Sequence, residues 1–259
     1  MTGRPRWWPA GAALAAVLTV AGCSPARRAA GGPRPAPSAP AGLYVAVGAS
    51  ETRGVGTDNP LRESWPQVLF GALPAGYSFV NLGISGATVA QALTDELPIA
   101  VALHPTLVTV WLNVDDLLSG VPASRYEADL FRLVAGLRAT GARVLVANTP
   151  PLDELPAYLV CSDPAHHPGS CDPAVPRPVP GPATVDAAVD AYNAAIARVS
   201  AANGAVVVDL HALGLQARTA GTASSLVSAD GFHPSDRGAA AVGDLFAATW
   251  RGAAGGRGP

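Results

Sequence analysis

The chain of 259 residues contains no lysine: all 17 basic residues are arginine, set against 19 acidic ones for a formal net charge of -2. Charged residues make up only 14% and aromatic residues 6%, and no basic patch interleaved with aromatics occurs. That pattern argues against a nucleic-acid partner. Cysteine is scarce, three in all, and the spacing matches no familiar zinc pattern. Long apolar runs are scarce as well, since the one over residues 10–21 is too short for a comfortable membrane span. Hydrophobic residues still reach 49%, enough for one domain with a sizeable core or two small ones.

The first 41 residues read as an export segment. Arg4 and Arg6 precede the apolar run, which ends in Val20-Ala21-Gly22-Cys23. This ending resembles a bacterial lipoprotein processing box, in which Cys23 becomes the lipidated first residue of the mature protein; an ordinary cleaved signal with an incidental cysteine is the alternative. Residues 24–41 mix proline, arginine, alanine and glycine without apolar periodicity. Such a composition buries no core and reads as a disordered tether. The expected organisation is therefore a signal peptide (1–23), a tether (24–41), a folded domain (42–251) and a disordered tail (252–259). The expected location is extracytoplasmic, with the membrane as partner through the lipid anchor. In that oxidising setting Cys161 and Cys171 are expected to close a small disulfide loop contributing about 2–3 kcal/mol. Asp163, His166 and His167 between them leave a metal site as the weaker alternative.

After the tether, short apolar runs alternate with helical patterns. Strands are expected over 43–48, 78–82, 107–112, 143–148 and 205–210, and helices over 64–73, 88–97, 123–140, 183–203 and 236–250. Strands apolar throughout are buried on both faces. The alternation argues for a parallel sheet of five strands with helices on both sides, a three-layer α/β/α class. Residues 150–182 break the pattern as an insertion on the side of the site.

In open α/β sheets, sites form beyond the carboxyl ends of the strands. Ser50 follows the first expected strand, Gly83 the second, Asn113 and Asp115 the third, and Asp230-Gly231-Phe232-His233 lies in the loop after the fifth. A serine hydroxyl becomes nucleophilic when an imidazole takes its proton, and the imidazole needs a carboxylate to fix its tautomer. An aspartate at i and a histidine at i+3 supply both from one loop. Pro234 biases His233 toward an extended backbone.

With these segments in hand, residues 42–250 resemble the SGNH hydrolases, the GDSL-type esterases and lipases. Gly48-Ala49-Ser50 matches the family's glycine-aspartate-serine turn with alanine in place of the aspartate. Asn81-Leu82-Gly83 matches the Asn-x-Gly turn, and Asp230 with His233 matches the closing Asp-x-x-His block. The resemblance implies a flavodoxin-like fold and hydrolysis of acyl esters, with Ser50 as nucleophile, His233 as base and then acid, and Asp230 as orienting carboxylate. It also implies an oxyanion hole that includes the N–H groups of Ser50 and Gly83. In the third block the family's Gly-x-Asn-Asp is replaced by Asn113-Val114-Asp115-Asp116. An ionised Asp115 would accept hydrogen bonds only and repel an oxyanion. Two rescues present themselves: Asn113 turning its amide into the site, as residues two apart in an extended segment face one side, or Asp115 kept protonated by burial and by Asp116. The first needs no perturbed ionisation and is the expectation.

The remaining polar residues carry less. His104 precedes the third strand and is expected to be structural; His211 is expected to be packed or solvated. Trp65, Trp111 and Trp250 fall in periodic apolar stretches and read as core. Thr52 and Arg53 adjoin Ser50 and are placed to border the pocket, and Gly54 and Gly56 allow a tight, mobile loop. The expected function is a monomeric serine ester hydrolase needing neither metal nor organic cofactor. Its expected substrate is a lysophospholipid, a short acyl ester or an acetylated polysaccharide. A catalytically impaired protein of the same fold, serving as a binding or scaffolding module, is the alternative.

Overall fold

A computed structural model describes residues 42–171, 175 and 178–255. The expectations for the export segment, Cys23 and the tether lie outside those residues. Five strands, β1 (Gly42–Gly48), β2 (Tyr77–Asn81), β3 (Leu107–Trp111), β4 (Arg143–Ala147) and β5 (Val206–Val208), form one sheet in the order β2-β1-β3-β4-β5. Every pairing is parallel.

Alternation along the strands explains the three layers. Val45, Val47, Val108, Val110, Val144 and Val146 point to one face, where they pack against Leu130, Leu133 and Ile196. Tyr44, Ala46, Leu107, Trp111 and Leu145 point to the other, against Trp65, Leu69 and Phe246. Burial of both faces explains why β1, β3 and β4 lack polar alternation. β2 and β5 form the edges and are only partly covered. Trp65 stacks on Phe246 with ring centroids 4.3 Å apart, so the tryptophans at 65 and 111 are core as expected.

The helices are α1 (Ser50–Arg53), α2 (Pro60–Glu63), α3 (Trp65–Ala72), α4 (Val89–Asp95), α5 (Leu97–Ala102), α6 (Val114–Leu118), α7 (Ala123–Ala139), α8 (Pro156–Ser162), α9 (Pro182–Asn203), α10 (Leu210–Thr219) and α11 (Asp236–Gly255). The expected helix over 88–97 is α4, which stops at Asp95, and a further helix not anticipated, α5, follows it; Pro98 in the first turn of α5 lacks the N–H that a continuous helix would need. α11 continues to Gly255, so residues 252–255, expected in a disordered tail, are helical. Among the described residues no helix is long and apolar enough to cross a membrane.

The insertion after β4 carries α8 and the Cys161–Cys171 disulfide. His166 Nδ1 lies 3.0 Å from the Asp163 carboxylate in the same loop. Ala157 donates its N–H to Gly231 O at 3.1 Å, which brings the insertion against the loop carrying Asp230 and His233.

Candidate active site

β1 ends at Gly48, and Ser50 opens α1 two residues later. A Cβ at position 48 would stand 2.0 Å from Thr52 Oγ1 and 2.8 Å from Trp111 O, so only glycine fits this turn. The N–H of Ser50 lies in the first turn of a helix, where no intrahelical acceptor exists. Asn81 secures the turn from the neighbouring strand: its amide donates to Thr52 O at 2.7 Å, and its Oδ1 accepts the Gly83 N–H at 3.0 Å. The Gly83 N–H, expected in the oxyanion hole, is thus engaged by its own turn. Thr52 is fully buried and Arg53 is exposed.

His233 reaches Ser50 from the opposite end of the chain. Its Nε2 lies 3.0 Å from Ser50 Oγ, and its Nδ1 lies 2.7 Å from Asp230 Oδ2. Asp230 Oδ1 accepts three further hydrogen bonds, from Ser228 Oγ at 2.7 Å, Phe232 N–H at 2.8 Å and His233 N–H at 2.9 Å. Burial works to raise the Asp230 pKa, but the donors from Phe232, Ser228 and His233 outweigh it and bring it to about 2. The carboxylate is therefore charged and oriented at any ordinary pH. Phe232 sets its ring edge-on to the imidazole, with centroids 4.9 Å apart. Gly56, with φ +95°, passes so close that a Cβ would come within 2.8 Å of His233 Cβ. The loop expected to be mobile is instead packed on the histidine.

The third block corrects the sequence expectation. Asn113 is 2% exposed, and its amide donates to Ala147 O at 3.4 Å, toward the end of β4 and not into the site. Its Oδ1 is buried without a partner. The reasoning from an extended segment fails because α6 begins at Val114, and on a helix residues two apart point to nearly opposite sides. Asp115 is the residue within electrostatic reach of His233: burial raises its pKa and the imidazole acts against that. Asp116 turns the other way and caps α4 by accepting the Val89 N–H at 2.9 Å. Burial raises Asp116 to about 6 in spite of that bond.

Two carboxyls escaped the sequence reading. Glu51, 7% exposed, brings its Oε2 to 3.4 Å from Ser50 Oγ. Burial pushes its pKa up to about 6 and the nearby Asp115 adds to this, while its own N–H, His233 and Ser50 oppose it. Its place immediately after the serine was the available signal. Glu96, fully buried between α4 and α5, accepts the Gly48 N–H at 2.8 Å. Burial raises it to about 8, against that bond.

Beside Glu51 a cavity of about 460 Å³ extends under the insertion. Leu152, Leu155, Leu210, Leu213, Leu226 and Val242 give it an apolar wall. Its arginine, Arg218, is tied to Asp153 and to Glu154, the latter at 3.1 Å. His211 lies apart, donating its N–H to Asn148 Oδ1 at 2.9 Å with its ring Nδ1 3.3 Å from Thr149 O. His104, two residues beyond α5, takes a left-handed conformation with φ +49°. Among the described residues no cluster of three or more His, Cys, Asp or Glu is placed to hold a metal ion.

A parallel α/β/α sheet with a hydrogen-bonded serine, histidine and aspartate over its carboxyl edge defines a hydrolase of the SGNH type. The model of the GDSL-like lipase/acylhydrolase family matches residues 46–241, and the chain belongs to that family. Solved structures agree on the fold. TesA superposes with a TM-score of 0.60 at 22% identity, over 81% of this chain and 98% of TesA. The psychrotrophic esterase EstA from Pseudoalteromonas sp., solved with monoethylphosphonate as inhibitor, gives 0.60 at 18% identity over 82% and 98%. The acetyl xylan esterase AlAXEase gives 0.58 at 16% over 81% and 98%. No curated protein matches the chain.

Proposed function

We propose that this protein is a serine ester hydrolase that works through an acyl-enzyme on Ser50. The observation that carries the reading is the 3.0 Å approach of His233 Nε2 to Ser50 Oγ, backed by the 2.7 Å contact of Nδ1 with Asp230. As Oγ bonds to the ester carbonyl carbon, its proton passes to Nε2 and the carbonyl oxygen becomes an oxyanion. The imidazolium then returns the proton to the alcohol as the carbon–oxygen bond breaks. Water repeats the sequence on the acyl-enzyme and releases the acid. Asp230, held ionised by its four donors, stabilises the imidazolium and fixes the ring.

The apolar cavity beside Glu51 supports an ester with a sizeable apolar group over an acetylated polysaccharide, because a saccharide would leave its hydroxyls unpaired against leucine. Attachment to the outer face of a cell membrane through lipidated Cys23 belongs to the same proposal and rests on the sequence alone. A second reading, a binding module on this fold, is favoured by one observation: the Asn113 amide is bound to Ala147 O, while the carboxyl of Asp115 lies within electrostatic reach of His233.

Assay of the protein and its Ser50→Ala variant on a series of p-nitrophenyl esters separates the two. Turnover lost in the variant supports the hydrolase, and equal rates for both proteins exclude it. Stoichiometric labelling by an organophosphonate, absent in the variant, reports the activated hydroxyl directly.

A further inference from the structure

The surroundings of Ser50 pose an electrostatic problem. Acyl transfer places a new negative charge on an oxygen only two bonds from its Oγ. Glu51 Oε2 already stands 3.4 Å from that oxygen, and Asp115 lies close enough to act on Glu51. Among the described residues, the basic neighbour acting on both carboxyls is His233, whose Nδ1 is already held by Asp230. The cavity's arginine is held by two acids of its own. The described residues thus place two carboxyls near the hydroxyl where the transition state needs donors, and among them no arginine acts on either carboxyl.

We propose that the substrate brings that cation: an ester whose acyl group carries an ammonium beside its carbonyl and a bulky apolar side chain, as in the ester of an apolar amino acid. Glu51 receives the ammonium and the cavity receives the side chain. The inference rests on the esterase reading and names the substrate class of the same site. An ammonium on the carbon next to the carbonyl is two bonds from the carbon that Ser50 attacks, so it reaches Glu51 without strain. Folding has already desolvated that carboxyl, which is why an ammonium there gains more than it would in water. Lying between Glu51 and the reacting carbonyl, it also turns a repulsion into an attraction that grows as the oxyanion forms. The leaving alcohol must depart past His233 and be replaced by water, so the acyl part, which stays on Ser50, is the one suited to the apolar cavity beside Glu51. Its volume of about 460 Å³ falls within the ordinary range for small ligands.

The test uses three methyl esters that share one phenylpropanoyl skeleton: phenylalanine (charged amine), 3-phenylpropanoate (no nitrogen) and N-acetylphenylalanine (nitrogen without charge). The full chain, Glu51→Gln and Ser50→Ala are compared at neutral pH. The expected result is a kcat/KM for the phenylalanine ester at least about tenfold above both uncharged esters, falling to within about twofold in Glu51→Gln. Equal values for the three esters in the wild type overturn the proposal, as does a preference that survives in Glu51→Gln. Should that variant not fold, the wild-type comparison decides alone. Turnover that depends on Ser50 without preference for the charged ester sinks this inference and leaves the hydrolase standing. Turnover of all three that is unaltered in Ser50→Ala, or none at all, removes both.

Discussion

His233 Nε2 and Ser50 Oγ, 183 positions apart in the chain, stand 3.0 Å from each other at the carboxyl edge of the sheet. Two short loops set the distance, one closing β1 and the other preceding α11, and Gly56 packs the first against the second. Removing the hydroxyl leaves this packing untouched. Ser50→Ala is therefore expected to lower kcat by at least about 10³-fold, with a melting temperature within a few degrees of wild type. Steady-state kinetics and thermal denaturation on one preparation check both halves.

Asp230 offers a sharper test of how the imidazole is held. Replacing it with asparagine keeps an acceptor for the local N–H groups but presents the wrong partner to Nδ1. The expected loss in kcat is about 10⁴-fold. The sign of its pH effect follows from its depressed pKa of about 2. The stability it contributes is present above the unfolded value near 3.8 and is lost as pH falls through about 2. Any acid limb of activity between pH 4 and 6 must then come from another group. A pH–rate profile whose acid limb survives in Asp230→Asn agrees with this; one whose limb disappears does not.

The sequence disclosed the frame and hid the chemistry between its parts. Each strand was legible because a parallel sheet buries both faces, leaving runs such as Val144-Leu145-Val146 without polar interruption. Asp230 and His233 were legible because one loop carries both at fixed spacing. α1, α2, α5, α6, α8 and α10 were not anticipated: most are too short for a periodic apolar stripe, and Pro60 and Pro156 open two of them. That gap propagated into the site, since the start of α6 at Val114 sends Asn113 and Asp115 to different sides. The contact of Glu96 with Gly48 joins residues 48 positions apart, and no local pattern announces it.

Asp115 should act as a brake on uncharged esters. An ionised carboxylate repels the oxyanion, whereas the isosteric amide donates to it. Asp115→Asn is expected to raise kcat on neutral p-nitrophenyl esters at pH 8 by about 10- to 100-fold. Burial raises the Asp115 pKa, so the carboxyl takes up its proton more readily than an exposed one. The advantage of the variant shrinks as pH falls for that reason. Asn113→Ala, by contrast, should act on stability, since its amide is bound to Ala147 O. Equal pH–rate curves for Asp115→Asn and wild type would show that the carboxyl does not face the reaction.

Glu96 places an ionisable group where the fold can least accommodate its charge. It is fully buried, one oxygen accepts the Gly48 N–H and the other has no partner. Its pKa stands at about 8 against an ordinary 4.5. Below pH 4.5 both folded and unfolded chains carry the proton and the group is neutral to stability. As pH rises from there to about 8, the unfolded chain ionises first, and stability falls until the folded carboxyl ionises too. Glutamine keeps an acceptor for Gly48 and cannot ionise. Glu96→Gln should match wild type near pH 4.5 and exceed it at pH 8 by about 2–4 kcal/mol. Urea denaturation at the two pH values measures the difference. A gap independent of pH would mean that Glu96 is charged in the fold, and that the strand end before Ser50 is held by an anion.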